Sequence, residues 1–294
     1  MKKLFSKVLF AVLLLLMTGC EKSLLESENI SMDDANVILH VSVYEQIPFG
    51  TRTVKDITQL CSRLNFAFFQ DGTKVKTISQ KKDDASFGTT ALSLEEGTYQ
   101  LVIIAHSSSG SATITSTEKV TFPSNLISDT FYYYGDLYVD NTQETYNLVL
   151  NRAVAMFRLE LTNPLPDEAA KIRFYYTGGS STFSPSAGYG CVNSRQTVML
   201  DVTTGQMIFE IYTFPHSETD ELKILTTVYD ANDNILKEKT FENVPITVNQ
   251  ITRYQGDFFG AGGGGGGGGG EPTSNGSFHL TAEEEWANEI TYTF

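Results

Sequence analysis

The sequence predicts an all-β fold, two β-sandwiches in tandem, and three observations carry that prediction. The 294 residues hold two runs of about seven short segments with alternating apolar residues, at the roughly 8–12-residue spacing of sandwich strands. Aromatic residues make up 12% of the chain, 19 Phe and 14 Tyr against one Trp, with much Thr and Val, a composition that suits pleated, half-buried surfaces. No alternation of strand and helix patterns occurs, which argues against a doubly wound nucleotide-binding sheet. Hydrophobic residues at 41% suffice for one large core or two ordinary ones, and charged residues at 19% are too few for a solvated, disordered chain.

Residues 1–19 read as an export signal. Lys2, Lys3 and Lys7 form a positive leader, and Val8 to Met17 is an unbroken apolar run. The run falls short of the ~20 residues a membrane span needs but suits a signal peptide. It closes on Met17-Thr18-Gly19-Cys20, small residues before a cysteine, as lipoprotein signal peptidase requires; Leu16 stands four places before the cysteine instead of the usual three. Cys20 is therefore the expected lipidated first residue, each buried acyl CH₂ contributing ~0.8 kcal/mol of membrane affinity. Residues 20–36 form a polar tether lifting the body off the membrane. With the three leader lysines removed, 18 bases face 35 acids, a net charge of −17 that repels phosphate backbones and excludes nucleic acid as a partner. Cys61 and Cys191 remain; they fall in different predicted domains, and two unpaired thiols are expected rather than a disulfide.

The first domain, 37–150, opens with a half-buried strand over Val37 to Tyr44, in which Val37, Leu39, Val41 and Val43 alternate with His40 and Ser42. Gln46 to Thr53 is a loop holding Pro48, Gly50 and Arg52, and Val54 to Leu60 suits one or two helical turns. Leu64 to Phe69 and Thr73 to Ile78 make a hairpin about Gln70-Asp71-Gly72. Strands follow over Thr98 to Ala105, Thr113 to Phe122, Thr130 to Val139 and Tyr146 to Leu150. The second domain, 151–259, holds strands over Ala153 to Leu161, Ile172 to Tyr176, Thr197 to Val202, Met207 to Phe214, Leu222 to Tyr229, Ile235 to Phe241 and Ile246 to Phe259. Gly178 to Gly190 reads as a long small-residue loop.

The composition then breaks. Residues 260–276 contain nine consecutive glycines, Gly262 to Gly270, a chain with no side chain to bury and maximal backbone freedom, hence a linker. No Gly-Lys-Ser/Thr comes after it, so it is not a phosphate loop. Residues 277–294 recover apolar character, and Ile290-Thr291-Tyr292-Thr293-Phe294 alternates as a strand. A strand on a flexible leash needs a sheet edge or groove, on its own body or a neighbour's, and Ile290, Tyr292 and Phe294 are the candidate donor side chains.

Enzymatic and metal chemistry find no support. Asp230, Asn232 and Asn234 mimic the first ligands of a calcium loop, but Ile235 and Phe241 occupy the places where an EF-hand needs Gly and Glu. Asp and Asn favour such turns for backbone reasons alone. Gly-x-Ser-x-Gly and His-Glu-x-x-His are absent from the sequence. No catalytic residue, metal or cofactor is predicted. Tyr132-Tyr133-Tyr134 could present rings to a sugar, though alternation buries at least one face.

Several segments carry a resemblance. Arg152-Ala153-Val154-Ala155-Met156-Phe157-Arg158-Leu159, then Phe174 to Ser180, Gly188-Tyr189-Gly190 and Asn193 to Gln196 resemble the C-terminal half of fimbrillin-type pilins of the Bacteroidales. Pro48-Phe49, Cys61 to Phe66, Leu94 to Tyr99 and Ala105-His106 resemble their N-terminal half. The likeness covers residues 37 to 259 and is closest to the lipoprotein fimbrial-subunit family of anchor and accessory pilins. It implies two tandem transthyretin-like β-sandwiches, sorting to the outer membrane by the lipid pathway, and assembly with other fimbrial subunits. In that superfamily shaft subunits lose their first strand to an arginine-specific protease, and a neighbour's C-terminal strand fills the vacated groove. Val37 to Tyr44 matches the removable strand and Arg52 the candidate cleavage site, whereas anchor subunits keep their lipid and are not trimmed.

The function admits two readings. One is a lipid-anchored structural subunit of surface fimbriae that joins others by strand exchange and supports adhesion to a host or bacterial surface receptor. The other is a monomeric surface lipoprotein that binds a glycan or host protein through sandwich loops, with its tail folded back on its own sheet.

Overall fold

Strands form where the sequence alternates, and their pairing decides the rest. The computed structural model describes residues 32–46, 52–140, 142–260 and 288–293. In chain order its strands are β1 (Val37–Gln46), β2 (Arg52–Asp56), β3 (Arg63–Gln70), β4 (Thr73–Lys81), β5 (Thr89–Leu92), β6 (Gly97–His106), β7 (Thr113–Ser116), β8 (Lys119–Thr121), β9 (Thr130–Val139) and β10 (Glu144–Arg152). The second half adds β11 (Ala155–Leu161), β12 (Ala169–Thr177), β13 (Thr182–Ser184), β14 (Tyr189–Gly190), β15 (Gln196–Asp201), β16 (Ile208–Thr213), β17 (Thr219–Asp230), β18 (Ile235–Thr247), β19 (Gln250–Gly256) and β20 (Asn288–Thr293). The fold is all-β: the described residues contain no α-helix, only three short 3₁₀ turns. None of these is long and apolar enough to cross a membrane.

The N-terminal strands form one sheet in the order β2-β1-β10-β9-β6-β3-β4, with β5 also paired to β1. The sheet turns a corner at β9–β10, where only Asn151↔Tyr132 and Arg152↔Phe131 pair, so its two wings face each other. Between them lies a core of Val37, Leu39, Val41, Val43 and Leu150 from one wing and Phe66, Phe68, Leu101, Ile103 and Phe131 from the other. The C-terminal strands form two sheets, β16-β11-β19-β20 and β15-β12-β17-β18. Their facing sides bury Phe157, Leu159, Phe174, Tyr176, Phe209, Ile224 and Phe241.

A fourth sheet, β14-β13-β8-β7, is built from both halves of the chain. Thr121 pairs Thr182 and Val120 pairs Phe183 across the halves. This small sheet covers the outer face of β3 and β6, and a third core of Ala67, Phe69, Val102, Ile104, Val120, Phe122, Ala153, Val154, Phe183 and Phe214 fills the space. Arg152 pins the same junction: its guanidinium donates to both carboxylate oxygens of Asp129 and to Asn249, and stacks over Phe131 at 4.6 Å.

The structure corrects several expectations from the sequence. Gly178 to Gly190 is not simply a loop, because β13 and β14 lie inside it. The turn into it needs glycine: Gly178 has φ +98°, and a Cβ there would run into the Glu221 carbonyl oxygen. Thr113 to Phe122 is two short strands, β7 and β8, rather than one. Val54 to Leu60 is strand as far as Asp56, whose carboxylate caps a single 3₁₀ turn over Ile57–Gln59. Arg52 was expected in a loop and instead opens β2, paired with Gln46. Strand β5 was not foreseen.

Candidate functional site

The two strands that the sequence singles out for exchange, β1 and β20, sit in different surroundings. β1 is paired on both edges. Along one side Val37 to Val43 run parallel to Glu144 to Leu150 of β10. Along the other, Val37 to His40 pair β5, and Ser42 to Gln46 pair β2. Its inward side chains Val37, Leu39 and Val43 are at most 1% exposed, and Val41 is 7% exposed. The side chains of Tyr44 to Gln46 and of Arg52 lie outside the described residues, as do Cys20 and the whole of residues 1–31.

β20 is an edge strand. Asn288 to Thr293 run parallel to Gln250 to Gln255 of β19, so β20 completes the sheet of its own chain. A parallel pair needs a long return crossover, and the chain between Gly256 and Asn288, polyglycine included, provides the length. Of the candidate donors, Ile290 lies beside Thr252 and is 40% exposed. Tyr292 lies beside Tyr254 and stacks on its ring at 5.0 Å with a 28° tilt. Phe294 lies outside the described residues.

Tyr254 is the residue that sequence reasoning missed. It belongs to a train of aromatic contacts running out of the core: Phe174 to Phe157 at 6.2 Å, Phe157 to Phe241 at 5.8 Å, Phe241 to Tyr254 at 5.2 Å, and then Tyr292. Burial, and then the Tyr292 phenol, push the Tyr254 hydroxyl up to about 12. Burial raises the Tyr292 hydroxyl as well. On the outer face the strands below are tied by ion pairs, Arg158 to Glu210 at 2.7 Å and Arg253 to Glu160 at 3.3 Å, with Gln255 donating to Glu160 at 3.0 Å. The β19 edge is thus a braced platform with an aromatic ring at its rim.

Other marked residues serve the fold. Asp230 accepts backbone N–H bonds from Asn232 and Asn234 and a side-chain bond from Asn234, so its carboxylate closes its own turn. His106 is fully buried; Ser108 N–H donates to its Nδ1, and its Nε2 sits 3.2 Å from the Ala112 N–H nitrogen and 3.3 Å from Asn65 Oδ1. His216 pairs with Asp220 at 2.8 Å. Cys61 is buried, Cys191 is exposed, and no disulfide joins them. Tyr132 packs into the shared core and Tyr133 into the N-terminal one, so the tyrosine run divides between two faces.

The family described as fimbrillin-A associated anchor proteins Mfa1 and Mfa2 matches residues 26–292. No curated protein matches the chain. Among solved structures, an adhesin candidate from Bacteroides ovatus is similar at 14% identity and a TM-score of 0.46, over 74% of this chain and 87% of that one. The fimbrial anchor protein Mfa2 from Porphyromonas gingivalis is similar at 10% identity and a TM-score of 0.39, over 69% and 80%. A fimbrial assembly protein from Parabacteroides distasonis is similar at 12% identity and a TM-score of 0.37, over 74% and 90%. It is the family match, spanning both halves and the tail, that assigns the chain.

Proposed function

The chain belongs to the fimbrillin-A associated anchor family, a fimbria-associated family of the cell surface, and from that premise we propose that it is a lipid-anchored fimbrial subunit of the anchor type. In this reading Cys20 holds it in the outer membrane, residues 37–150 and 151–259 are two transthyretin-like sandwiches, and its neighbours are other fimbrial subunits joined by β-strand exchange. The observation that carries the reading is the family match over residues 26–292. The state of β1 supports the anchor type over the shaft type. A protease must take its substrate strand into its own cleft, and Arg52 is engaged in the β1–β2 ladder. Cutting there would also leave β1 held by two other strands and by four buried side chains. β1 therefore stays, the N-terminal groove stays filled, and the subunit gives a strand without receiving one there. Ile290, Tyr292 and Phe294 are the donor residues.

Replacement of Cys20 by Ala is the first test: the protein should leave the membrane fraction, and fimbriae should be shed into the medium. Unchanged partition would end the lipid reading. N-terminal sequencing of protein from cells should begin at a blocked Cys20, not at Thr53.

A second reading has one observation in its favour. β20 rests on the sheet of its own chain, as a self-contained surface lipoprotein binding a glycan or host protein would have it. Heat-sensitive, SDS-resistant ladders of purified subunits would decide for exchange; their absence would decide for the monomer.

A further inference from the structure

We propose that each half of the chain carries a clamp against pulling force, a parallel strand pair placed so that tension along the chain shears it instead of peeling it. The proposal rests on the anchor reading, in which Cys20 fixes one end of the protein and the next subunit draws on its C-terminal half. It adds what keeps the subunit folded between the two.

Among the described strand pairs three are parallel, β1–β10, β11–β19 and β19–β20. The first two stand in order along the route of a pull. Tension from residue 20 enters β1 at its N-terminal end, Val37. It leaves the N-terminal half through the C-terminal end of β10, where Arg152 leads by Ala153 and Val154 into β11. β1 and β10 pair seven residues side by side, from Val37↔Glu144 to Val43↔Leu150. One strand is thus drawn by its N-terminus and its neighbour by its C-terminus, outward from opposite ends of one ladder. The hydrogen bonds bridge the strands across that direction, so they take the load together. In an antiparallel pair the same two termini would lie at one end, and the pull would open the ladder bond by bond. The C-terminal half repeats the arrangement: β11 is drawn from its N-terminal end, and β19 passes the load on from its C-terminal end. Six parallel pairs join them, from Met156↔Ile251 to Leu161↔Gly256.

Side chains reinforce the ladder where the load passes. At its entry the Gln143 side-chain amide donates to the Met32 and Ala35 carbonyl oxygens at 2.6 and 2.7 Å. Asn36 exchanges two hydrogen bonds with the Leu94 backbone, at 2.8 and 3.0 Å. Along β1 the buried Val37, Leu39 and Val43 resist sliding, because a slip of one residue would turn each of them to the opposite face. At the joint between the halves, Arg152 holds both Asp129 and Asn249. In the second clamp Glu160 of β11 ties to Arg253 and Gln255 of β19.

Single-molecule pulling in two directions is the test. The full chain carries Cys20→Ala, Cys191→Ser and Thr142→Cys, with Cys61 left buried. Thr142 is exposed and precedes β10 at the end where β1 begins. Handles on the two termini shear β1 against β10, whereas handles on the N-terminus and residue 142 peel them apart. One chain serves both directions, so a difference in stability cannot account for a difference in force. In the first direction, the step that releases residues 37–152, at ~3.3–3.6 Å per residue, identifies the N-terminal clamp. Its rupture force should be several-fold higher than the force that opens β1 in the second. Forced unfolding reads the unfolding rate along the direction pulled, and equal forces in the two directions overturn the clamp. Should the exchange at 142 disturb the fold, Ser93→Cys gives the same peeling direction, since Ser93 is exposed and follows Leu92, the partner of Val37. The measurement needs neither membrane nor second subunit. Its failure leaves the anchor reading to its own test, the partition of Cys20→Ala, and a failure of that reading leaves the two forces to be compared as before.

Discussion

β1 and β20 both pair in parallel with a strand of their own half of the chain, yet they are held in opposite ways. β1 lies inside its sheet, laddered on both edges, with Val37, Leu39, Val41 and Val43 in the core. At ~1.5–3 kcal/mol for each fully buried aliphatic side chain, those four contribute on the order of 6–12 kcal/mol. That is comparable with the whole ~5–15 kcal/mol stability of a domain. β20 has one partner, an exposed isoleucine and one aromatic stack. Removing β1 therefore dismantles a core, whereas removing β20 uncovers a rim.

Four measurements put this contrast at risk. Leu39→Ala should have the largest effect, a loss of ~2–5 kcal/mol in urea unfolding monitored by circular dichroism, because its side chain is fully buried. Acid should act on the same half. Burial, and then Arg63, hold the His106 imidazole at about 4, below its ordinary 6.5. The unfolded chain takes up that proton near pH 6.5, so the stability from neutral His106 is full above that pH. It is lost as pH falls towards about 4, to the extent of roughly 3 kcal/mol, and His106→Asn should flatten the dependence.

The tail should respond less. Deleting Ser277 to Phe294 is expected to cost no more than ~1–2 kcal/mol and to leave the β-sheet circular dichroism of the body intact. Loss of cooperative unfolding in that variant would show that β20 is structural and the contrast false. The smallest effect lies in alkali. The Tyr254 hydroxyl is raised to about 12, first by burial and then by Tyr292, so docking is favoured below pH ~10 and weakens as pH rises towards about 12. Tyr292→Ala should lower the pH at which Tyr254 ionises, read from tyrosinate absorbance.

Much of the contrast is legible in the sequence, because alternation is a local property. Val37 to Val43 announces a half-buried strand, and Ile290 to Phe294 announces another beyond a glycine leash. The tail's acceptor is not legible, since the open edge of β19 exists only once β11 has paired it on the other side. Tyr254 looks like any strand aromatic until Phe241 and Tyr292 flank it. β13 and β14 escape for a different reason. Ser, Thr and Gly carry no apolar period, and what makes Thr182 to Ser184 a strand is pairing with β8, far away in sequence. Arg52 shows the limit of reading punctuation: Pro48 and Gly50 suggest a loop from Gln46 to Thr53, but the β1–β2 ladder already takes in Gln46 and Arg52.

The sheet shared between the halves also sets an order in time. Ala67, Phe69, Val102 and Ile104 form an apolar face early in the chain, and part of what covers it is Phe183 and Phe214, made much later. A chain emerging N-terminus first therefore carries an open greasy surface until more than half its length has been made. Contacts so distant in sequence close slowly, and an uncovered sheet face is a hazard for aggregation while it waits. The interval between the emergence of Ile104 and the arrival of Phe214 is when this protein most needs a holding chaperone.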